Sequence, residues 1–118
     1  MENLKGILLL LLPLIYLLVV SALIFGLRHF FIYLKYKKSA YGDVSGNSFF
    51  KTAFSRGNYG EFLTFCSLEK LEGEKKLLTN VYLPKEDRTT TEIDLLMINR
   101  SGIYVFESKN YSGWIFGD

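Results

Sequence analysis

The feature that most constrains this chain is an uncharged stretch of twenty residues, 7–26, which reads ILLLLLPLIYLLVVSALIFG. An α-helix of about 20 apolar residues is long enough to cross the hydrocarbon core of a membrane. Pro13 lies in the first turns of the stretch, where a membrane helix tolerates a missing hydrogen bond. We therefore predict one transmembrane helix within an N-terminal anchor, residues 1–38.

A cleaved signal peptide is the alternative interpretation of the same stretch. Lys5 would be its basic start, and Val20-Ser21-Ala22 resembles a small-residue cleavage site. The length of the apolar run favours an anchor, because the run continues through residues 23–25, beyond that site.

Positive charge is concentrated on the C-terminal side of the apolar stretch. Lys5 lies on the N-terminal side, whereas four basic residues follow the stretch: Arg28, Lys35, Lys37 and Lys38. Because positively charged flanks stay in the cytoplasm, the sequence predicts a single-pass membrane protein whose soluble part is cytoplasmic.

The rest of the chain is slightly acidic, since residues 39–118 hold nine Lys/Arg and eleven Asp/Glu. It therefore lacks the basic stripe of a protein that binds nucleic acid by charge alone. Cys66 is the single cysteine, which excludes an internal disulfide and a zinc cluster built around it. The absence of a P-loop motif and of a C-x-x-C pair argues against ATP binding and structural zinc.

The soluble part has room for one small domain. Residues 39–56 are predicted to be a linker, because their first half is rich in Ser and Gly. A helix is predicted from Asn58, a good N-cap with Glu61 three residues later, and Gly73 can end it. Its apolar residues fall on one arc, which would pack on a core: Phe62, Phe65, Cys66 and Leu68. Glu61 lies inside that arc, an unusual place for a solvated acid.

Three strands are predicted after this helix, at residues 77–83, 93–99 and 103–109, with a turn between the last two. The last two strands are largely apolar on both faces. Strands of that kind usually lie inside a sheet that is covered on both faces.

The last two strands bring acidic residues together if Asn99 pairs with Gly102. Asp94 then faces Glu107, and two carboxylates side by side require a cation, a raised pKa or a different register. Lys109 projects from the same face as Glu107, and Glu61 can join from the helix. Oxygen ligands of this kind suit a hard cation such as Mg²⁺, and a lysine near it can stabilise developing negative charge or help to activate a water.

Each of these residues also has a simpler interpretation. Glu61 can be a helix cap, Glu107 and Lys109 can be an ion pair at a strand end, and Asp94 can terminate a strand. A loop of three or five residues would shift the register and place Asp94 on the opposite face.

The spacing of Gly60-Glu61, Glu92-Ile93-Asp94 and residues 102–113, GIYVFESKNYSG, resembles the NERD (nuclease-related) domain family, a branch of the PD-(D/E)xK nuclease-like superfamily. Asp94, Glu107 and Lys109 match the D…ExK signature, and Glu61 matches the glutamate of the opening helix. The resemblance implies an incomplete α/β fold, an α+β sheet core of the restriction-endonuclease-like type. The NERD-like domain would occupy residues 57–118.

The resemblance also implies an activity, hydrolysis of phosphodiesters in DNA or RNA by a metal-dependent nuclease. Glu61, Asp94 and Glu107 would hold Mg²⁺ or Mn²⁺, and Asp94, Glu107 and Lys109 would be the catalytic residues. The alternative function is a non-catalytic, membrane-tethered interaction module with a degenerate or truncated nuclease fold.

The family's domain continues past the point at which this sequence stops, with a further helix and strand. The resemblance therefore implies a fragment, a truncated product or a domain completed by another chain. Trp114, Ile115 and Phe116 would then be partly uncovered, which predicts self-association.

Overall fold

The structure is a computed structural model that describes residues 1–109. The chain divides into two compact units, with the boundary between Leu34 and Lys35. The uncovered aromatic residues predicted at 114–116 lie outside the described residues.

The helix α1 spans Glu2–Lys38. It forms the first unit up to Leu34, and its last four residues belong to the second unit. This helix is long and apolar enough to cross a membrane, as predicted, and it remains helical through Pro13. Its apolar side chains are exposed, with Leu17 64% and Leu18 60% accessible. A surface of this composition is stable in lipid and unfavourable in water.

The predicted linker is wrong for residues 41–54, which form two short helices, α2 (Tyr41–Ser45) and α3 (Phe49–Phe54). Gly46 ends α2 in a left-handed conformation, φ +72°, and the hydroxyl of Ser48 accepts a hydrogen bond from the N–H of Lys51 at the start of α3. Gly and Ser are therefore helix caps here rather than a flexible tether.

The main helix of the second unit is α4, Arg56–Glu69. Ser55 is its N-cap, and its hydroxyl accepts a hydrogen bond from the N–H of Asn58, so the cap predicted at Asn58 is wrong. The helix also ends before Gly73. The predicted apolar stripe is confirmed, since its four residues are buried: Phe62, Phe65, Cys66 and Leu68.

Three strands form an antiparallel sheet in the order β1 (Lys75–Pro84), β2 (Thr90–Asn99), β3 (Gly102–Phe106). The predicted hairpin register is confirmed, because Ile98 pairs with Ile103 and Leu96 pairs with Val105. The third strand is shorter than predicted and ends at Phe106. These elements confirm an α+β core preceded by a long apolar helix.

One face of the sheet forms the core with α4, where Leu95 and Met97 are buried. Side chains alternate between faces along a strand, so Ile98, Ile103 and Val105 lie on the other face. There Ile103 is 67% and Val105 60% exposed. Among the described residues, the prediction of a sheet covered on both faces is therefore wrong.

Candidate functional site

Glu61 lies in the second turn of α4 and is only 8% exposed. The hydroxyl of Tyr41, which is fully buried, lies 3.4 Å from the carboxylate oxygen Oε1 of Glu61 and donates a hydrogen bond to it. Since α4 begins at Arg56 and is capped by Ser55, the interpretation of Glu61 as a helix cap is wrong. Its carboxylate instead belongs to the interior of the second unit.

The pKa of the Glu61 carboxyl group lies above its ordinary value. Burial raises the pKa of Glu61 most, the negative charge of Asp94 raises it further, the hydrogen bond from Tyr41 lowers it, and the charge of Glu92 raises it slightly. The charge of Asp94 therefore acts on the carboxyl group of Glu61. Two carboxylates with no cation between them favour a proton on one of them.

Glu107 and Lys109 follow the end of β3 and form an ion pair, with the Nζ of Lys109 against the Oε1 of Glu107. Both side chains are about half exposed. The simpler interpretation of these two residues as an ion pair is therefore present in the structure. The predicted pairing of Asp94 with Glu107 is absent from the ladder, because β3 ends one residue before Glu107.

The segment that carries Glu107 and Lys109 approaches the N-terminal half of α4. A Cβ atom placed on Gly60 would lie 2.8 Å from the Oγ of Ser108, so a larger residue at position 60 would force Ser108 to move. A cavity of about 360 Å³ lies at this approach and is lined by Arg56, Tyr59, Gly60, Ser108 and Lys109. Because Gly60 has no side chain, residues 107–109 can lie against the helix that carries Glu61.

The oxygen ligands predicted for a metal ion agree with Mg²⁺ or Mn²⁺ in donor chemistry. Their placement among the described residues provides no such site, because Glu107 is paired with Lys109. Within residues 1–109, no three Asp, Glu, His or Cys side chains are grouped closely enough to hold a metal ion.

Sequence reasoning missed several residues around this site. Arg56 and Ser108 line the cavity, and Tyr41 and Asn47 form a buried polar pair behind Glu61. Tyr41 lies in a stretch whose composition is typical of a linker, so no local pattern indicated its burial. The signal for Ser108 was its place inside the E-x-K motif.

Glu61 should make the stability of the second unit depend on pH. Its folded-state pKa lies above the ordinary value of 4.5, so its contribution to stability is present below that value and is lost as pH rises through the raised pKa. Glu61→Gln should flatten this dependence and raise the unfolding midpoint at neutral pH in a chelating buffer.

The measurement is urea unfolding of the full chain in detergent micelles, followed by near-ultraviolet circular dichroism at several values from about pH 4 to 8. Glu86→Gln, at an exposed position in the turn between β1 and β2, is the matched control. Parallel pH curves for native chain and Glu61→Gln would contradict the raised pKa.

Comparison with known proteins identifies the family to which this chain belongs. The family model described as nuclease-related domain (NERD) matches residues 56–118. An uncharacterized protein of Bacillus anthracis is 41% identical over 63 residues, which are 52% of this chain. The chain spans 30% of the length of that relative. No solved structure matches the chain. Since the family model covers more than half of the sequence, as the D…ExK residues predicted, the chain belongs to the NERD, or nuclease-related domain, family.

Proposed function

We propose that the chain is a membrane-anchored, nuclease-like protein that hydrolyses phosphodiester bonds of DNA or RNA. The observation that carries the proposal is the buried Glu61, whose pKa is raised by burial and by Asp94, in a family of nuclease-related domains. A buried acid whose pKa is raised further by a second acid is a costly arrangement for stability alone. A bound divalent cation would neutralise it.

Glu61, Asp94 and Glu107 would hold Mg²⁺ or Mn²⁺. When bound, the ion would polarise a phosphoryl oxygen and favour ionisation of a nearby water. Its binding in this proposal needs Glu107 to exchange its contact with Lys109 for the ion. The exposure of both partners, 61% and 50%, makes that exchange inexpensive, since exposed ion pairs contribute about 0–1 kcal/mol.

Lys109 would act on the substrate itself. Lys109 and Arg56 both line the 360 Å³ cavity, and two cationic residues there would offset the charge of a phosphate group. Lys109 would also position or activate the attacking water, or donate a hydrogen bond to the phosphoryl oxygen that gains negative charge.

The membrane helix would fix where this chemistry occurs. Arg28, Lys35, Lys37 and Lys38 follow the apolar part of α1, and such flanks stay in the cytoplasm. The second unit would therefore face the cytoplasm. Nucleic acid in that compartment would be within its reach.

A non-catalytic interaction module is the second candidate. It is favoured by the lack of a three-ligand cluster within residues 1–109 and by the exposed apolar face at Ile103 and Val105. Self-association or completion by another chain would cover that face.

The deciding experiment is a cleavage assay with the full chain in detergent micelles and millimolar Mg²⁺ or Mn²⁺. Labelled single-stranded DNA, double-stranded DNA and RNA serve as substrates. We expect cleavage of at least one of them, and we expect Lys109→Ala to lower the rate by about 100-fold or more, because a positioned proton donor or acceptor contributes about 10²–10⁴-fold.

Lys85→Ala is the matched control, because Lys85 is also an exposed lysine and lies in the turn that follows β1, far from Lys109 in the sequence. Its rate should equal that of the native chain. Equal rates in all three proteins would point to a contaminating nuclease, and no cleavage of any substrate would leave the interaction module as the function.

A further inference from the structure

In α3 a polar residue is buried and aromatic residues are exposed, the reverse of a helix whose outer face meets water. Successive residues turn by about 100° around an α-helix, so Phe50, Lys51 and Phe54 share one arc and Thr52 lies opposite them. Phe50 is 70% and Phe54 59% exposed, whereas Thr52 is fully buried. The hydroxyl of Thr52 donates to the backbone carbonyl of Ser48 over 2.8 Å, which satisfies it in the interior. The outer arc of α3, formed by residues 50, 51 and 54, therefore presents two phenyl rings to its surroundings.

The two exposed rings form one surface with a positive charge beside it. Phe50 and Phe54 are about one helical turn apart, and their rings stack with centroids 6.2 Å apart and planes 13° from parallel. Lys51 is exposed beside them. The sequence has no Asp or Glu from residue 44 to residue 60. An apolar surface with basic residues and without acidic ones is typical of helices that lie at the surface of a membrane.

Contacts within the second unit join α3 to the last turn of α1. The hydroxyl of Tyr36 donates to the backbone carbonyl of Asn47 over 2.6 Å. The ring of Tyr36 meets the ring of Phe49 edge to face, with centroids 5.9 Å apart, and Phe49 in turn contacts Phe50, with centroids 5.4 Å apart. The outer arc of α3 is therefore held close to residues 35–38 of α1.

The length of α1 places its last turn at the level of the lipid headgroups. Residues 7–34 contain Arg28 and no other Asp, Glu, Lys or Arg, and at 1.5 Å per residue they measure about 42 Å. A bilayer with its headgroups is about 40–45 Å thick, and an arginine can extend its guanidinium to the headgroups. The lysines of the last turn would then lie among the headgroups: Lys35, Lys37 and Lys38. Because α3 contacts this turn, it would lie at the same level.

We propose that the outer arc of α3 docks on the membrane that α1 spans, with Phe50 and Phe54 in the interface and Lys51 against anionic lipid headgroups. An amphipathic helix buries its apolar face about 5–10 Å into the boundary between headgroups and acyl chains. The inference rests on the membrane anchor of the proposed function and is independent of the nuclease activity. It concerns a segment outside residues 56–118, which the family model matches. The second unit would thus have its own attachment to lipid in addition to α1.

The test is tryptophan fluorescence of the full chain reconstituted in lipid vesicles. Trp114 is the single tryptophan of the sequence, so Trp114→Phe provides a background in which Phe50→Trp introduces the sole indole. The vesicles contain phosphatidylcholine with or without phosphatidylglycerol, and bromine atoms on the acyl chains near the headgroups quench an indole that lies at the interface. We expect Phe50→Trp to show blue-shifted emission that brominated lipid quenches. Quenching should be stronger with phosphatidylglycerol.

Tyr82→Trp in the same background is the matched control, because Tyr82 is also an exposed aromatic residue, 61% accessible on β1. Brominated lipid should quench its emission several-fold less than that of Phe50→Trp, and acrylamide in the water should quench it several-fold more. Lys51→Gln added to Phe50→Trp should reduce the gain from phosphatidylglycerol. Each lysine near an anionic surface changes the ratio of docked to undocked chain by about fivefold.

The outcomes separate lipid from protein as the partner of α3. Blue-shifted emission of Phe50→Trp without quenching by brominated lipid would show that protein, such as a second copy of the chain, covers the outer arc, and it would overturn the proposal. Equal quenching of the two introduced tryptophans would also overturn it. Release of the native chain from membranes by alkaline carbonate would overturn the anchor together with this inference, whereas retention without quenching would overturn this inference alone.

Discussion

Phe62→Ala is expected to lower the free energy of unfolding of the second unit by about 3–5 kcal/mol, the usual cost of truncating a buried phenylalanine. Phe62 is fully buried, and its ring lies among those of Tyr36, Tyr41 and Tyr59, with centroids 5.3–6.3 Å away. Alanine would leave a cavity between α4 and the segment that holds Tyr41. Since domains are stable by about 5–15 kcal/mol, much of the total would be lost.

The measurement is urea unfolding of the full chain in micelles, with near-ultraviolet circular dichroism as the signal of aromatic packing. Phe50→Ala is the matched control, because Phe50 is 70% exposed on α3. Its cost should be below about 1 kcal/mol, as for most surface substitutions. Equal losses in the two variants would contradict the packing described around Phe62.

Leu17→Arg combined with Leu18→Arg should release the chain from the membrane. Both leucines lie in the middle of the apolar stretch of α1 and are exposed. On the insertion scale each exchange costs about 3–4 kcal/mol at the centre of a span, so the pair shifts insertion by about 6–8 kcal/mol. Few single helices of this length retain a net preference for lipid after such a change.

The assay is the fraction of chain that stays in the membrane pellet after alkaline carbonate extraction. Leu17→Ile with Leu18→Ile is the control, because it keeps the stretch apolar, and it should pellet like the native chain. Sequencing of the mature N-terminus separates the two interpretations of the stretch. A terminus at Met1 or Glu2 supports an anchor, whereas a terminus near Leu23 supports a cleaved signal peptide.

Local sequence patterns predicted the parts of the fold that depend on interactions between residues close together in the chain. The β2–β3 register followed from pairing Asn99 with Gly102 across the turn at residues 100–101, and alternation could not select it because both faces of the strands are largely apolar. The buried arc of α4 followed from helical periodicity. The cap was misplaced because Ser55 and Asn58 are both good N-caps, and the choice between them depends on where α3 ends.

The membership of the candidate site stays a prediction from the motif, which names Glu61, Asp94, Glu107 and Lys109. The charge of Asp94 raises the pKa of Glu61. The ion pair of Glu107 with Lys109 joins residues two apart and was one of the local interpretations. The contact of Tyr41 with Glu61 depends instead on side-chain packing between distant segments. No local pattern encodes such contacts, because they form only when the helices and the sheet come together.

The two edge strands of the sheet differ in charge and in proline content, so they differ in how readily a further strand can pair with them. β1 carries Lys75, Lys76 and Pro84, which oppose pairing with a further strand through charge and a missing N–H. β3 reads GIYVF and carries neither charge nor proline. Any strand that extends this sheet therefore joins at β3, beside the segment that carries Glu107 and Lys109.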